Sequence, residues 1–182
     1  MRRFRRDCSG AMRIYSPDGK RESRQLVLRL GEPPTTDPFS LVNGIIQGVI
    51  ITTVRVVTAA IIRQGNKVLL AQRGSGSKLP GKWEFPGGKV EAAESLEDCL
   101  RRELTEELGI RVSVGKRLCS SDFLYDHGEF RIEAFWGEIL AGELMPKVHD
   151  RIEWVAPHEL RQYDLLPADI PIAEAVAAHC AR

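Results

Sequence analysis

Residues 88–110 read GKVEAAESLEDCLRRELTEELGI, and their apolar side chains recur at the spacing of one amphipathic helix. The leucines at positions 96, 100, 104 and 108 are four residues apart, which places them on one buried face. Ser95 is a candidate N-cap, with Asp98 three residues on as a weak form of the capping box. Gly109 suits the left-handed position that ends a helix. The pattern therefore predicts a helix that begins after Ser95 and ends before Gly109.

Three carboxylates share one side of this predicted helix. Glu103 is three residues from Glu106 and four from Glu107, so the three side chains project together. Each like-charge pair costs about 0.2–0.5 kcal/mol in an isolated helix, and the C-terminal end of a helix disfavours anions further. Such a face is either solvated or binds a cation, and Mg²⁺ prefers oxygen ligands such as carboxylates and substrate phosphates. The leading hypothesis is a metal-assisted enzyme that acts on phosphates, and the alternative is a solvated acidic face.

The segment before the helix, LPGKWEFPGG at residues 79–88, has the character of a short strand followed by a glycine loop. Trp83 and Phe85 alternate with polar residues, as they do in a strand. Pro86 then ends the strand, because proline cannot donate to a ladder. Gly87 and Gly88 allow the backbone to approach a ligand closely. The predicted order is strand, glycine loop and helix, with the carboxylates beside the buried stripe.

Together these residues resemble the Nudix box, in which nine positions have a fixed residue type. The chain fills all of them, with Gly88, Glu94, Arg102, Glu103, Leu104, Glu106, Glu107, Gly109 and Ile110. Flanking segments resemble the MutT branch of that family: AAII at 59–62, VLLAQR at 68–73, WEFPGGK at 83–89 and LPADIP at 166–171. That branch includes 8-oxo-dGTP diphosphatases and the similar CTP pyrophosphohydrolases. The resemblance covers residues 54–180 and implies an α/β (α+β) fold, the Nudix α/β/α sandwich with a mixed β-sheet.

The resemblance also implies roles for the residues of the box. It implies that Mg²⁺, or Mn²⁺, is bound by the Gly87 carbonyl together with the side chains of Glu103, Glu106 and Glu107. The catalytic set implied is Glu103, which orients or deprotonates the attacking water, with Arg102 and Glu106. Arg102 holds a box carboxylate by a charge-assisted hydrogen bond, and Glu94 orders the loop. The reaction implied converts a nucleoside triphosphate and water into a nucleoside monophosphate and pyrophosphate.

One loop departs from the MutT pattern. MutT-like enzymes usually carry a further glutamate six residues before the tryptophan of the last strand, where this chain has Val148 before Trp154. Asp150 or Glu153 can substitute, or the box can act alone. We hypothesise that Asp150 reaches the metal along a flexible loop, and the alternative is that it caps a turn.

Four residues are expected to contact the substrate, on the strength of the same resemblance: Arg73, Lys78, Phe85 and Asp169. Arg73 matches a substrate-contacting arginine, whereas Lys78 stands where the bacterial 8-oxo-dGTP enzyme has a histidine. Asp169 stands where that enzyme reads the oxidised purine with an asparagine and where CTP-preferring relatives carry aspartate. A carboxylate accepts from amino groups, so it suits cytosine N4 or guanine N1 and N2. The alternative for Asp169 is an N-cap of the last helix.

The expected function is Mg²⁺-dependent hydrolysis of 8-oxo-dGTP or related nucleoside triphosphates, as a housekeeping removal of modified or surplus nucleotides. One alternative is a pyrophosphohydrolase of CTP or modified pyrimidine nucleotides. Another is a non-catalytic ligand-sensing module, although such domains typically lose the box and this one is intact. Other Nudix substrates, such as dinucleoside polyphosphates, ADP-ribose or capped RNA, share the diphosphate chemistry.

Composition excludes several other classes of protein. The chain has 182 residues, 43% of them hydrophobic, which supports a buried core. A net charge of +1 gives no reason to expect a nucleic-acid polymer as partner. Four scattered cysteines without CxxC spacing predict reduced, mostly buried thiols in a cytoplasmic protein. The apolar residues 41–62 are interrupted by polar ones and rich in Val, Ile and Thr, so we expect strand and no membrane span. A monomer or a homodimer is expected.

We expect two parts along the chain. Residues 1–50 are predicted to be a basic, poorly ordered extension, with a strand at 25–30 and a proline-containing linker at 31–40. Residues 51–182 are predicted to form the Nudix hydrolase domain. Its strands are predicted at 54–62, 67–72, 111–118, 120–125, 130–140 and 151–155, with helices from 157 and at 171–179.

Overall fold

The computed structural model describes residues 3–6, 12–15, 21–22, 54–125 and 128–181. From residue 54 onward, three strands precede the first helix, and three more strands precede the last two helices. The strands are β1 (Arg3–Arg6), β2 (Met12–Tyr15), β3 (Arg21–Glu22), β4 (Arg55–Gln64), β5 (Lys67–Arg73), β6 (Trp83–Glu84), β7 (Arg111–Tyr125), β8 (Gly128–Ala141) and β9 (His149–Val155). The helices are α1 (Leu96–Leu108), a 3₁₀ helix (Pro157–Gln162) and α2 (Ile170–Cys180).

The sheet is mixed, as the sequence predicted. Its strand order is β3-β2-β1-β7-β8-β4-β5-β6, and β9 pairs with β5. Strands β4 and β8 run parallel, and the other strand pairs are antiparallel. Strands β4 and β5 pair only at their hairpin, Arg63 with Val68 and Gln64 with Lys67. Beyond the hairpin the two strands separate, and a cleft opens at the far end of β4 from this turn.

Two apolar cores lie on opposite sides of β4, because successive side chains of a strand face opposite ways. Ala59 and Ile61 pack into one core with residues of α2, including Ile172 and Val176. Ala60 and Ile62 pack into the other core with the leucines 100, 104 and 108 of α1, none of which is exposed. Helices therefore cover both faces, and the predicted α/β/α sandwich is confirmed.

The helix that carries the carboxylates has the predicted ends. The Ser95 side-chain oxygen accepts a hydrogen bond from the Asp98 backbone N–H at 3.1 Å. Gly109 has a φ of 72°, and its N–H donates to the Thr105 carbonyl at 3.2 Å. These caps fix where α1 begins and ends, and so fix which turn of the helix holds the glutamates.

Several elements differ from the sequence prediction, and among them β9 begins at His149 instead of residue 151. Strand β7 is continuous where two strands were predicted, because register shifts between Val114 and Cys119 absorb the irregular segment without ending the ladder with β8. Helix α2 spans Ile170–Cys180, one residue longer at each end than predicted, and Pro171 lies within its first turn as predicted, where its missing N–H costs no hydrogen bond.

In the N-terminal extension, β1 pairs with β2 and with β7, and β2 pairs with β3. The predicted strand at 25–30 and the linker at 31–40 lie outside the described residues, and the division at residue 50 stays a prediction. Cys99 and Cys119 are buried, Cys180 is exposed, and no disulfide joins these described cysteines. Within the part of the chain that the structure describes, no helix combines the length and apolar composition that crossing a membrane requires.

Candidate active site

A cleft of about 780 Å³ opens beside the glycine loop, between the start of β4 and helix α1. It brings together side chains that are far apart in the sequence. Seven of the residues expected at the site line it: Arg73, Lys78, Phe85, Gly87, Glu103, Glu107 and Asp169. Glu106, Arg102 and Asp150, which were also expected at the site, do not line it.

The glycine loop lies directly on β4. The Thr58 N–H donates to the Gly88 carbonyl and the Ala60 N–H donates to the Pro86 carbonyl, both at 2.8 Å. Because successive carbonyls of an extended segment alternate in direction, we expect the Gly87 carbonyl between them to face away from β4. A Cβ on Gly87 would lie 2.2 Å from the Thr58 carbonyl oxygen, which explains why only glycine fits there. The loop is therefore a rigid wall of the cleft.

Glu103 lies on the other side of the loop, against Gly88. A Cβ on Gly88 would lie 2.1 Å from the Glu103 carboxyl carbon. The Glu103 side chain is only 14% exposed, so loop and helix together restrict where its carboxylate can stand. Gly88 therefore leaves room for the Glu103 carboxylate in this position.

Arg102 connects the box carboxylates to the loop. Its Nε and Nη2 donate to the two oxygens of Glu94 at 2.9 and 3.0 Å, and Nη2 also donates to the Lys89 carbonyl. Its Nη1 lies 3.1 Å from Glu103 and 3.2 Å from Glu106. The Arg102 hydrogen bonds lower the pKa of Glu94 to about 2, so this carboxylate is ionised at neutral pH. These contacts suit the structural part expected of Arg102 and the loop-ordering part expected of Glu94.

The third carboxylate of the helix, Glu107, is poorly satisfied. Its Oε2 is buried without a hydrogen-bond partner. Burial, with the nearby charges of Glu103 and Glu84, raises the pKa of Glu107 to about 7. A buried carboxylate oxygen without a donor is costly unless a cation or a proton compensates it. The site therefore has the chemistry of a cation site on this side of the cleft.

The described side chains are not, however, gathered into a closed metal cage. Among the residues that the structure describes, no three acidic, histidine or cysteine side chains stand close enough together to hold an ion. The reason is visible at Glu106, whose side chain is 60% exposed and turned to Arg102. A three-carboxylate site requires this side chain to turn away from Arg102 and toward Glu103 and Glu107.

A second polar network, which the sequence did not predict, continues from Glu107 across the cleft. Glu84 accepts from Arg73 Nη1 at 2.6 Å, and its other oxygen lies 3.2 Å from Nε2 of His149. Arg73 Nε also donates to the Lys78 carbonyl at 2.8 Å. In the sequence Glu84 lies between Trp83 and Phe85, which are both buried. Because successive side chains of a strand face opposite ways, this position could have predicted that Glu84 faces away from the two aromatic residues.

The structure does not place Asp150 in the cleft. In the pairing of β5 with β9, Gln72 is opposite Arg151 and Arg73 is opposite His149, so Asp150 is the extra residue of a β-bulge. The bulge turns Asp150 to solvent and buries His149 instead. The other candidate, Glu153, bonds to Arg151 and accepts from the Tyr163 hydroxyl. Neither proposed substitute for the missing loop glutamate faces the cleft.

Asp169 also lines the cleft, beside Phe85. Its side chain does not cap α2 and instead accepts from the Phe85 N–H at 3.0 Å. The residue is only 3% exposed, and burial together with the charge of Glu84 raises the pKa of Asp169 to about 8. Near neutral pH it is therefore a neutral carboxylic acid, which can donate a hydrogen bond as well as accept one.

Comparison with known proteins agrees with this geometry. A family model described as NUDIX domain matches residues 52–177, more than half of the chain. The chain belongs to the Nudix family. It is 43% identical over 122 residues to the CTP pyrophosphohydrolase of Escherichia coli K12, an alignment that covers 67% of this chain and 90% of that protein. It is 40% identical over 118 residues to the putative 8-oxo-dGTP diphosphatase 2 of Mycobacterium tuberculosis H37Rv, covering 63% and 82%.

The solved structures give the same assignment. The solution structure of the Escherichia coli ORF135 protein superposes with a TM-score of 0.64 at 41% identity, and covers 72% of this chain and 94% of that one. This Nudix domain is a hydrolase, and the reading as a non-catalytic sensing module is not favoured. Nudix hydrolases generally use divalent metal ions.

Proposed function

We propose that this Nudix hydrolase is a Mg²⁺-dependent pyrophosphohydrolase that cleaves a nucleoside triphosphate into the monophosphate and pyrophosphate. The observation that carries the proposal is the arrangement of one cleft. Two box carboxylates, Glu103 and Glu107, line it together with Arg73 and Asp169. One cleft then offers carboxylates for a cation, a guanidinium for phosphates and a carboxyl group for a base, which are the three parts of a metal-bound nucleotide. A cytoplasmic location belongs to the same proposal.

The chain's own residues have distinct parts in this reaction. Glu103, Glu107, the Gly87 carbonyl and, after rotation, Glu106 would hold the metal ion. When bound, the ion neutralises phosphate charge and acidifies water. Glu103 accepts the proton of the attacking water, because Gly88 and Arg102 hold its carboxylate at the cleft wall. Arg73 and Lys78 offer positive charge to the phosphates, and Arg73 is held for this by Glu84.

Base selection is attributed to Asp169 in its neutral form. A carboxylic acid presents a donor next to an acceptor, and cytosine presents the matching pair, an acceptor at N3 beside the donor at N4. An ionised carboxylate has only acceptors, and would repel N3. The raised pKa of Asp169 therefore supports cytidine nucleotides as substrates. The 43% identity to a protein named CTP pyrophosphohydrolase, over 90% of its length, supports the same choice.

The second candidate substrate is 8-oxo-dGTP. Oxidised guanine carries an N–H at N7 beside the O6 acceptor, so it also offers a donor–acceptor pair to a neutral carboxylic acid. The 40% identity to a protein named putative 8-oxo-dGTP diphosphatase 2 favours this candidate. Unmodified dGTP has two acceptors on that edge, so it can match the acid only by presenting its other edge, with N1–H beside O6.

Pyrophosphate release with Mg²⁺ should therefore be fastest for a cytidine nucleotide in a panel of substrates. The panel contains CTP, dCTP, 5-substituted dCTP, 8-oxo-dGTP, dGTP, ADP-ribose and diadenosine polyphosphates, and kcat/KM is measured for each. We expect CTP or dCTP to exceed dGTP by about tenfold or more, the value of one good donor–acceptor match. Faster turnover of 8-oxo-dGTP selects the second candidate. Turnover of ADP-ribose or diadenosine polyphosphates alone contradicts the proposed function.

Replacing Asp169 by asparagine should remove the pH dependence of cytosine selection. The asparagine carbonyl can still accept from the Phe85 N–H, and its amide then donates to the base at every pH. In the native protein, ionisation of Asp169 as the pH rises through about 8 removes the donor. Between pH 6.5 and 9 we expect kcat/KM for CTP to fall about tenfold more in the native enzyme than in Asp169→Asn. The ratio of the two profiles cancels pH effects on metal and substrate, and a constant ratio contradicts the assignment.

A further inference from the structure

His149 is a buried histidine that no part of the sequence pattern assigned to the site. It opens β9, and its side chain is only 3% exposed. The β-bulge at Asp150 sets it directly opposite Arg73 on β5. Gly74 makes the bulge possible, since a Cβ there would lie 2.6 Å from the Val148 carbonyl oxygen. The chain therefore has a local backbone irregularity whose effect is to turn this imidazole inward.

The imidazole stands between two carboxylates. Its Nε2 is 3.2 Å from Oε1 of Glu84 and 4.0 Å from Oε2 of Glu107. Its Nδ1 is buried and has no hydrogen-bond partner. A proton on Nδ1 would be a buried donor without an acceptor, whereas a proton on Nε2 is donated to Glu84. The geometry therefore favours a proton on Nε2 over a proton on Nδ1.

Glu84 connects His149 to Arg73, which lines the cleft. One of its oxygens accepts from His149 and the other accepts from Arg73 at 2.6 Å. Both of its hydrogen-bonding directions are then fixed, so the Arg73 guanidinium is held at one place on the cleft wall. On the other side, the 4.0 Å separation leaves Oε2 of Glu107 without a hydrogen bond and available to a cation.

We propose that His149 is a positioning residue for phosphate binding: through its Nε2–H it fixes Glu84, and through Glu84 it orients Arg73. The inference rests on the proposed function, in that Arg73 is taken to bind the substrate phosphates. It also explains how one side of the cleft is ordered although Val148 replaces the glutamate usual in MutT-like loops. The group that this loop turns inward, behind Glu84, is a donor to a carboxylate and not a carboxylate.

Two substitutions at residue 149 test the inference with a matched pair of side chains. His149→Leu fills the space without a donor, and in His149→Gln the amide N–H can take the place of Nε2–H. We expect His149→Leu to raise KM for the preferred nucleotide about tenfold while kcat changes less than about threefold. His149→Gln should bring KM back to within about threefold of the native value. His158→Leu, an exposed histidine of the 3₁₀ helix away from the cleft, is the control and should change neither constant.

A double-mutant cycle with Arg73→Lys separates orientation from general damage. If His149 acts through Arg73, the KM effects of His149→Leu and Arg73→Lys are not additive, because the second change removes a contact already lost. Additive effects, or an equal loss in His149→Leu and His149→Gln, overturn the proposal.

A readout without substrate keeps the inference distinct from the proposed function. The ¹⁵N and ¹H resonances of the imidazole in the metal-free protein report which nitrogen carries the proton. We expect the Nε2–H tautomer in the native protein, and a changed resonance after Glu84→Gln. A proton on Nδ1 overturns the proposal whatever the substrate proves to be. If the tautomer is as expected but no nucleotide is hydrolysed, the proposed function fails and the His149–Glu84 contact stands.

Discussion

Replacement of Glu103 by glutamine is expected to lower kcat by about 10³-fold, the middle of the range for loss of a general base. Glutamine has nearly the same volume, so it fits beside Gly88 where the native carboxylate stands. It cannot accept the proton of the attacking water, and it brings no negative charge to the cation site that Glu103 forms with Glu107. The measurement is steady-state pyrophosphate release from the preferred nucleotide at saturating Mg²⁺.

The matched control for this prediction is Glu97→Gln. Glu97 is an exposed glutamate in the first turn of the same helix, so the change in net charge is identical. We expect its kcat to remain within about twofold of the native value. Both variants should melt within a few degrees of the native protein, because neither side chain belongs to the apolar cores. More than a tenth of native activity in Glu103→Gln would show that another group takes the proton.

The part of the site that the sequence predicted is the part encoded locally. The leucine repeat, the Ser95 cap and the Gly109 stop all lie within one helix, and they fix the turn from which the glutamates project. Gly87 and Gly88 immediately precede that helix, so the loop beside it was also predictable. The helix is determined by contacts between residues close in sequence, and the loop is determined by the absence of side chains on its two glycines.

The rest of the site depends on pairings between distant segments. His149 is buried against Glu84 because β9 pairs with β5 through a bulge, and strand alternation alone did not predict which of two neighbouring residues the bulge would bury. The sequence analysis chose Asp150 for its charge, and the register selected its neighbour. The pKa of Asp169 likewise depends on burial against residues far away in the chain, so its neutral form was not predicted.

Two adjacent glycines should respond to alanine in opposite ways. In Gly88→Ala the new Cβ meets the end of the Glu103 side chain, at 2.1 Å from its carboxyl carbon. A terminal carboxylate can rotate away at little cost, so we expect the fold to persist with a melting temperature within about 3 °C of the native value. The rotation moves the proposed base off the cleft wall, and kcat should fall by about 10²-fold or more.

In Gly87→Ala the obstacle is backbone. The new Cβ would lie 2.2 Å from the Thr58 carbonyl oxygen and 2.9 Å from its carbon, at a φ of 156° that side chains rarely adopt. Strand β4 is held there by its parallel ladder with β8, and cannot move without breaking the bonds from Thr58 and Ala60 to the loop. We expect the free energy of unfolding to fall by about 3 kcal/mol or more, and the melting temperature by about 10 °C.

Gly76→Ala is the control for both variants, because nothing lies within 4 Å of a Cβ at that position. It should leave the melting temperature and kcat essentially unchanged. Thermal unfolding and steady-state rates of the three variants then separate the two reasons for glycine in this loop. Gly87 leaves room for strand β4, and Gly88 leaves room for the Glu103 carboxylate. An active Gly88→Ala enzyme would place the working position of Glu103 elsewhere than against the loop. A Gly87→Ala protein of native stability would mean that the loop is not held on β4 by the contacts described.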